Sequence, residues 1–294
     1  MLCLGTAAQG AVLVDQPYRL DSFNRPTTEL TINGQGQFNF VLDTASSTSF
    51  IFSNARDRLG LPGGSGGTPF DTYGLSRVIK SEPLTFDEVK LSGLTFRQMQ
   101  MGVLQSSNNA DGILGIDAIE KYALVLDRAQ MRLKLLSRED ASPQPWDNWS
   151  SLDMTPLVLR TIGGTFWATP ASIHGHPFTA ILDLGAGITI INWAAAKQLG
   201  IKREDFRFTG PPDKRLRDML GTTAPAVNAI ATIDIGDQSC RDERVLIADA
   251  QVFDFTGLAD TPAALIGTCL LQSHSVAVDF PNRKFYIGKS GAAN

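Results

Sequence analysis

One pattern constrains this chain more than any other, because it is written twice. Residues 38–52 read FNFVLDTASSTSFIF and residues 178–192 read FTAILDLGAGITIIN. Each copy is an apolar strand, an aspartate, a turn of small residues and a second β-rich strand. The two aspartates, Asp43 and Asp183, lie 140 residues apart. A short turn precedes each copy, Ile32-Asn33-Gly34 and Ile173-His174-Gly175, and a helical stretch closing in Leu59-Gly60 or Leu199-Gly200 follows. A second matched pair ends each half. Asp111-Gly112-Ile113-Leu114-Gly115-Ile116 leads to Val125-Leu126-Asp127 and a strand at 132–136, while Leu265-Ile266-Gly267-Thr268 leads to Val278-Asp279-Phe280 and a strand at 284–288. The spacing from Gly115 to Gly267 and from Asp127 to Asp279 is 152 residues in both cases. Four features recurring in one order identify a tandem duplication of a β-rich unit.

The duplication sets the domain plan: an N-terminal lobe at 12–139, a polar, proline-containing connector at 140–153 and a C-terminal lobe at 154–294. Helical signal is confined to Ser53–Leu59, Asp117–Tyr122 and Trp193–Leu199; elsewhere short Val/Ile/Thr/Phe runs alternate with Gly, Pro, Asn and Asp. Hydrophobic residues make up 43% of the 294 and charged residues 19%, which excludes a disordered chain. The net charge of −4 offers no basic field for nucleic acid. No apolar run reaches the roughly 18 residues needed to span a bilayer. Residues 1–11 are uncharged and end in small side chains, which fits either the tail of an export leader, and so a periplasmic or secreted protein, or an ordinary frayed N-terminus. The three cysteines are too few for a disulfide scaffold; Cys240 and Cys269 can pair in an oxidising compartment, and the sequence leaves that open.

An aspartate that ends a strand and enters a small-residue turn is held where backbone N–H groups reach its oxygens. Two such turns related by a pseudo-twofold axis bring two carboxylates together. Like charges about 3 Å apart cannot both ionise, so the pair holds one proton between them. One carboxylate then takes a proton from a water while the other protonates an amide carbonyl oxygen, which is general acid–base hydrolysis without a cofactor.

At these residues the chain resembles the aspartic proteases of the pepsin and retropepsin group, in a bilobal bacterial form with two retropepsin-like halves. The signature of that group is two apolar residues, Asp-Thr/Ser-Gly, and later two apolar residues plus Gly. Here it reads Val41-Leu42-Asp43-Thr44-Ala45 with Ile113-Leu114-Gly115, and Ile181-Leu182-Asp183-Leu184-Gly185 with Leu265-Ile266-Gly267. The resemblance covers roughly residues 28–136 and 168–288. It implies an all-β fold of two pseudo-twofold-related β-barrel lobes with short helices and a cleft between them. It also implies catalytic roles for Asp43 and Asp183, and an extended polypeptide substrate bound as an added strand. A chain carrying both halves is expected to act as a monomer.

Two positions depart from the group's pattern. Ala45 replaces a Gly, and Leu184 replaces a Thr or Ser whose hydroxyl braces the opposite loop. Thr44 is able to supply one half of that brace; loss of the other half costs on the order of 1 kcal/mol. Leu184 also supports an alternative from another class, a catalytically silent fold that binds a peptide or protein. The residue after Ala45 is Ser46, whose hydroxyl is positioned to bond the Asp43 carboxylate, whereas Ala186 follows Gly185 and offers no such bond. Asp43 is therefore expected to be the more readily ionised partner. The resemblance also implies hairpin flaps, with candidates at Asp71–Leu75, including Tyr73 and Gly74, and near Met219-Leu220-Gly221-Thr222. Gly63-Gly64-Ser65-Gly66-Gly67 matches a serine-nucleophile pattern but lacks the flanking strand and helix, and reads as a loop. His174 and His176 have no third ligand cluster, so no metal is expected. Asp111, Asp127 and Asp279 read as structural caps.

Overall fold

A computed structural model describes residues 11–61, 67–74, 78–105, 109–137, 144, 146–159, 163–205, 215–219 and 221–290. Gly63 to Gly66 of the serine-nucleophile pattern, Leu75 and Leu220 lie outside these residues.

The duplication is visible in the strand order. In the first lobe the eight-stranded sheet runs Arg19–Leu20, Pro26–Ile32, Gln35–Leu42, Gly112–Leu114, Phe50–Phe52, Leu94–Leu104, Val78–Leu91, Phe70–Tyr73. In the second it runs Thr155–Val158, Thr165–Ile173, His176–Leu182, Ala263–Ile266, Thr189–Ile191, Gln238–Ala248, Thr223–Ile235, Arg215–Arg217. Position for position the two orders are the same. Each sheet folds back on itself, because Ile32 pairs with Val89 and Ile173 with Ile233. Each lobe is thus a small barrel. Its hairpins begin with the expected turns: Asn33 and Gly34 have φ of 49° and 72°, and His174 and Gly175 have 47° and 80°. Two successive positive φ values are what a two-residue hairpin of the right twist requires.

A six-stranded sheet joins the lobes beneath the cleft, in the order Val12–Pro17, Arg132–Leu136, Ala123–Asp127, His274–Asp279, Lys284–Ser290, Ser150–Asp153. Its centre shows where the pseudo-twofold axis lies. Val125 pairs with Ala277, its own counterpart at the 152-residue spacing, and the register is symmetric on either side. The end of the connector forms the outer strand Ser150–Asp153, and Trp146 beside it is buried against Ala123, Val125, Leu136 and Ala277. The last part of the connector is therefore built into the sheet rather than hanging free.

Alternation explains the strand that carries the first aspartate. Gln35–Leu42 starts exposed and ends with Phe40, Val41 and Leu42 fully buried. One core cluster runs through both lobes, from Phe40, Leu42 and Leu114 to Ile181, Leu182 and Ile266. Short helices at Ser53–Arg58, Ile116–Ile119 and Trp193–Gln198 lie where the sequence suggests; a fourth, Gln251–Phe255, carries no helical signal strong enough to read in advance. Asp127 and Asp279 cap their turns, accepting from the Gln130 amide at 3.0 Å and the Asn282 amide at 3.2 Å, whereas Asp111 ties distant segments together, accepting from the Asn39 amide at 2.8 Å and pairing with Arg58 at 2.6 Å.

Candidate active site

The two aspartate strands end at the cleft floor in matched surroundings. The amide of Asp43 donates to Leu114 O and that of Asp183 to Ile266 O, both at 3.0 Å. This ties each aspartate to the strand crossing behind it. The crossing strands end at Gly115 and Gly267, and these glycines have a packing reason. A Cβ at Gly115 would sit 2.7 Å from Ser46 O, and one at Gly267 would sit 2.7 Å from Ala186 O. Gly185 does the same for the opposite carboxylate, since a Cβ there would lie 2.4 Å from Asp43 Cγ. That glycine lets the first aspartate approach the second lobe.

The brace across the axis is present, and one residue makes it. Thr44 Oγ1 donates to Leu182 O at 2.8 Å and accepts from the Leu184 amide at 3.1 Å. Thr44 is buried and satisfied on both sides of its hydroxyl. Leu184 turns instead into the core, where it is 8% exposed. The second half of the brace is replaced by apolar packing.

The carboxylates themselves are almost dry, Asp43 at 8% and Asp183 at 7% exposure. Burial pushes the Asp43 pKa up to about 6 from 3.8, against the pull of the Ala45 amide, the Arg25 guanidinium and a proton shared from Asp183. The Ala45 amide donates to Asp43 Oδ1 at 2.9 Å. Burial also raises Asp183 well above its ordinary value; the charge on Asp43 pushes it further, and the amides of Gly185 and Ala186 only partly offset this. Asp183 Oδ1 is buried with no hydrogen-bond partner. Asp43 is the member that ionises first, in the order the sequence suggests.

The cause, however, is different. The Ser46 hydroxyl donates to Thr48 O at 2.8 Å and not to Asp43. The two-residue loop step from Ser46 to Thr48 is shorter than the reach back to the carboxylate, so the local bond wins. The charge that favours ionised Asp43 comes from Arg25, a residue the sequence pattern does not single out. At the 141-residue spacing of the preceding turns, the second lobe has Phe166 in its place. A cation stands on one side of the pair and an aromatic ring on the other.

Two hollows, of about 170 and about 340 Å³, meet at the two carboxylates. The first is walled by Phe50, Ile113, Tyr73, Phe166, Val252 and Phe255. The second is walled by Phe23, Arg25, Ile188, Ile190, Leu216 and Arg217. Residues of both flap candidates, Tyr73, Gly74 and Met219, border the first hollow. Phe70–Tyr73 pairs with Val78–Leu91, and Arg215–Arg217 pairs with Thr223–Ile235. The two segments meet at Gly74, where a Cβ would lie 2.8 Å from both Asp218 Oδ2 and Thr222 Oγ1. Asp218 caps its own turn by accepting from the Thr222 amide at 2.7 Å and from the Thr222 hydroxyl. Gly221 supplies the positive φ, 74°, that this turn needs. Tyr73 rests edge-on against Phe255 of the other lobe, ring centres 4.6 Å apart.

The lobes also brace their loops differently. In the first, Asp117 accepts from the Ser49 hydroxyl at 2.7 Å and the Ser49 amide at 3.0 Å, and burial raises its pKa against those bonds. At the 152-residue spacing the second lobe has Cys269, which is joined to Cys240 in a disulfide. His174 and His176 stay at their turn, and no group of three or more metal-type ligands occurs among the described residues. Nor does any described helix have the length and apolarity to cross a membrane.

The family comparison agrees with this geometry. The aspartyl protease family model matches residues 28–118 and 169–269, one stretch in each lobe. No curated protein matches the chain in sequence. Among solved structures, a retropepsin-like aspartic protease from Rickettsia conorii is similar at 17% identity and a TM-score of 0.34, over 44% of this chain and 96% of that one. With both halves of the chain matched by one family model around the two aspartate turns, the chain belongs to the aspartyl protease family.

Proposed function

We propose that the protein is an aspartic endopeptidase in which Asp43 and Asp183 are the catalytic pair. The observation that carries this reading is two nearly dry carboxylates on equivalent turns, held across the axis by Thr44 at the floor of a roofed cleft. Ionised Asp43 takes a proton from a water as that water attacks the scissile carbonyl carbon. Protonated Asp183 gives its proton to the carbonyl oxygen. Asp43 then passes its proton to the leaving nitrogen while Asp183 recovers one from a hydroxyl of the tetrahedral species, and the C–N bond breaks. No group outside the two carboxylates is needed for the proton balance. The substrate is a polypeptide in extended form, laid under the two flaps as an added strand. Both halves of the site come from one chain, so the working unit is a monomer, and the Cys240–Cys269 pair suits a periplasmic or secreted enzyme.

Leu184 was the feature that favoured a silent binding module. Its side chain is a core residue and its amide is held by Thr44, so it gives that alternative no support. The reading is tested by incubating the protein with an unfolded polypeptide, such as reduced carboxymethylated albumin, between pH 3 and 8. Cleavage by the wild type and none by Asp43→Asn or Asp183→Asn, with all three equally folded by circular dichroism, is the expected result. Cleavage that survives in either variant contradicts it.

A further inference from the structure

The loop that carries each aspartate is gripped from behind, and the two grips differ in one residue. In each lobe the residue after the backing glycine donates its amide to the carbonyl of the third residue past the aspartate. Ile116 donates to Ser46 O at 2.9 Å and Thr268 to Ala186 O at 3.0 Å. The glycine itself donates to a hydroxyl six residues past the aspartate, Gly115 to Ser49 Oγ at 3.0 Å and Gly267 to Thr189 Oγ1 at 3.2 Å. The lobes part at the next residue. Asp117 holds the first loop directly, accepting from the Ser49 hydroxyl and amide. Its counterpart Cys269 is bonded instead to Cys240, on strand Gln238–Ala248. That strand also pairs with Thr189–Ile191, into which the Asp183 loop runs. One covalent bond therefore joins the segment behind the loop to the strand beside its exit.

A short line of contacts leads from that bond to the carboxylate. Cys269 adjoins Thr268, Thr268 holds the Ala186 carbonyl, and the amides of Ala186 and Gly185 hydrogen-bond Asp183. The cysteines are packed, Cys240 at 6% and Cys269 at 8% exposure, so the bond constrains interior backbone and not a loose surface turn. On its far side the Asp183 loop meets the first lobe, where a Cβ at Gly187 would lie 2.3 Å from Phe23 O in the loop 21–25. A close-packed loop has little slack to absorb a shift, so a displacement of Thr268 passes through Ala186 to the carboxylate.

We propose that the Cys240–Cys269 bond positions Asp183, so that its oxidation state sets the turnover rate: fast with the bond closed, slow once a dithiol has opened it. The proposal rests on the endopeptidase reading. A reagent such as dithiothreitol supplies the two electrons. One of its sulfurs attacks a cysteine sulfur, the other closes the reagent's own ring disulfide, and two protons complete the Cys240 and Cys269 thiols. Both cysteines are positioning residues, acting through Thr268 and Ala186. Opening the bond leaves the walls of the cleft in place and spoils the register of Asp183 with Asp43, so the loss falls on kcat. The Asp43 loop, held by Asp117, is the internal control.

The test uses a Cys3→Ser background, which leaves Cys240 and Cys269 as the chain's cysteines. A peptide spanning a cut site of carboxymethylated albumin is the substrate, under conditions where circular dichroism shows the fold kept. Dithiothreitol is expected to lower kcat about tenfold with KM within about twofold, and reoxidation to restore it. Cys240→Ala/Cys269→Ala should match the reduced enzyme and ignore the dithiol. In amide NMR the Thr268 and Ala186 signals should shift on reduction, while those of Ile116 and Ser46 stay in place. If the double variant does not fold, the reduction and reoxidation cycle decides; if the bond resists the dithiol, the variant decides. An unchanged kcat, unmoved Thr268 and Ala186 signals, or equal shifts in both lobes overturns the positioning role and leaves the endopeptidase standing. Absence of cleavage by the oxidised protein overturns the endopeptidase, and the amide signals then still decide whether the bond holds the Asp183 loop.

Discussion

The two lobes have the same strand order and nearly the same active-site backbone, yet they hold their aspartates by different chemistry. The first lobe uses polar groups: Thr44 spans the axis, Asp117 braces Ser49, and Arg25 is close enough to favour a charge on Asp43. The second uses apolar and covalent ones. Leu184 packs into the core, Cys269 is tied to Cys240, and Phe166 stands where Arg25 would be. The lesson is that the duplicated fold fixes where the carboxylates are, and the divergent neighbours fix which one carries the proton. A coupled pair has joint titration steps, but unequal surroundings make one microstate dominant.

The sharpest way to break the comparison is to remove a carboxylate. Asp43→Asn and Asp183→Asn should each lower kcat/KM by about 10³-fold or more, because each removes a proton-transfer partner. Both should also raise stability near neutral pH. A carboxylic acid whose pKa is raised on folding holds its proton in the folded state while the unfolded chain releases it, so its contribution is lost as pH rises from about 4 through the folded value, about 6 for Asp43. Denaturant melts of wild type against Asp43→Asn should coincide near pH 3.5 and separate by about 3 kcal/mol at pH 7, the variant being the more stable.

The next contrast is between the two locks. Reducing the Cys240–Cys269 bond releases the constraint on a loop of 29-residue separation and should cost about 3–4 kcal/mol by the loop-entropy rule, read as a fall in the denaturation midpoint. Asp117→Ala removes the counterpart lock and takes the acceptor from both the Ser49 hydroxyl and the Ser49 amide, leaving the hydroxyl only the bond it accepts from the Gly115 amide, at about 1–3 kcal/mol. An equal or larger effect for Asp117 would mean the hydrogen-bonded lobe is the stiffer one. At the axis, Thr44→Val deprives Leu182 O and the Leu184 amide of their shared partner and should lower both stability and activity. Leu184→Thr, which restores the family's usual residue, should bring no gain, since it puts a hydroxyl among core side chains.

Smaller still are the electrostatic exchanges. Arg25→Leu removes the cation that lowers the Asp43 pKa, so the acid limb of the pH–rate profile should move to higher pH by a few tenths of a unit or more, while Phe166→Leu leaves that limb in place. Ser46→Ala should leave the profile unchanged, because its hydroxyl serves Thr48 O.

How much of this could be read from the chain alone follows from range. The aspartate turns, the glycines behind them, the two hairpin turns and the short helices are local, and each has its own residue signature. The flap candidates at Tyr73-Gly74 and Met219–Thr222 follow from the family resemblance, and each adjoins a pair of strands. Arg25 and Phe23 were not legible, since a five-residue loop has no periodicity and its partner Gly187 lies in the other lobe. The Asp117–Ser49 bond hid for the same reason: the partners are 68 residues apart. Whether Cys240 and Cys269 would meet was open until the hairpin carrying the first came to rest beside the loop carrying the second. Ser46 misled because its nearest acceptor lies within its own turn.

The most direct test of the unequal dyad is carbon NMR of the protein labelled at its aspartate side-chain carboxyls, titrated from pH 3 to 9. Asp43→Asn and Asp183→Asn assign the two signals. The expected result is that the Asp43 signal moves near pH 6 while Asp183 stays protonated to higher pH. An Asp183 that ionises first, or two carboxyls that both titrate near pH 4 without influencing each other, would contradict a shared proton set by unlike lobes.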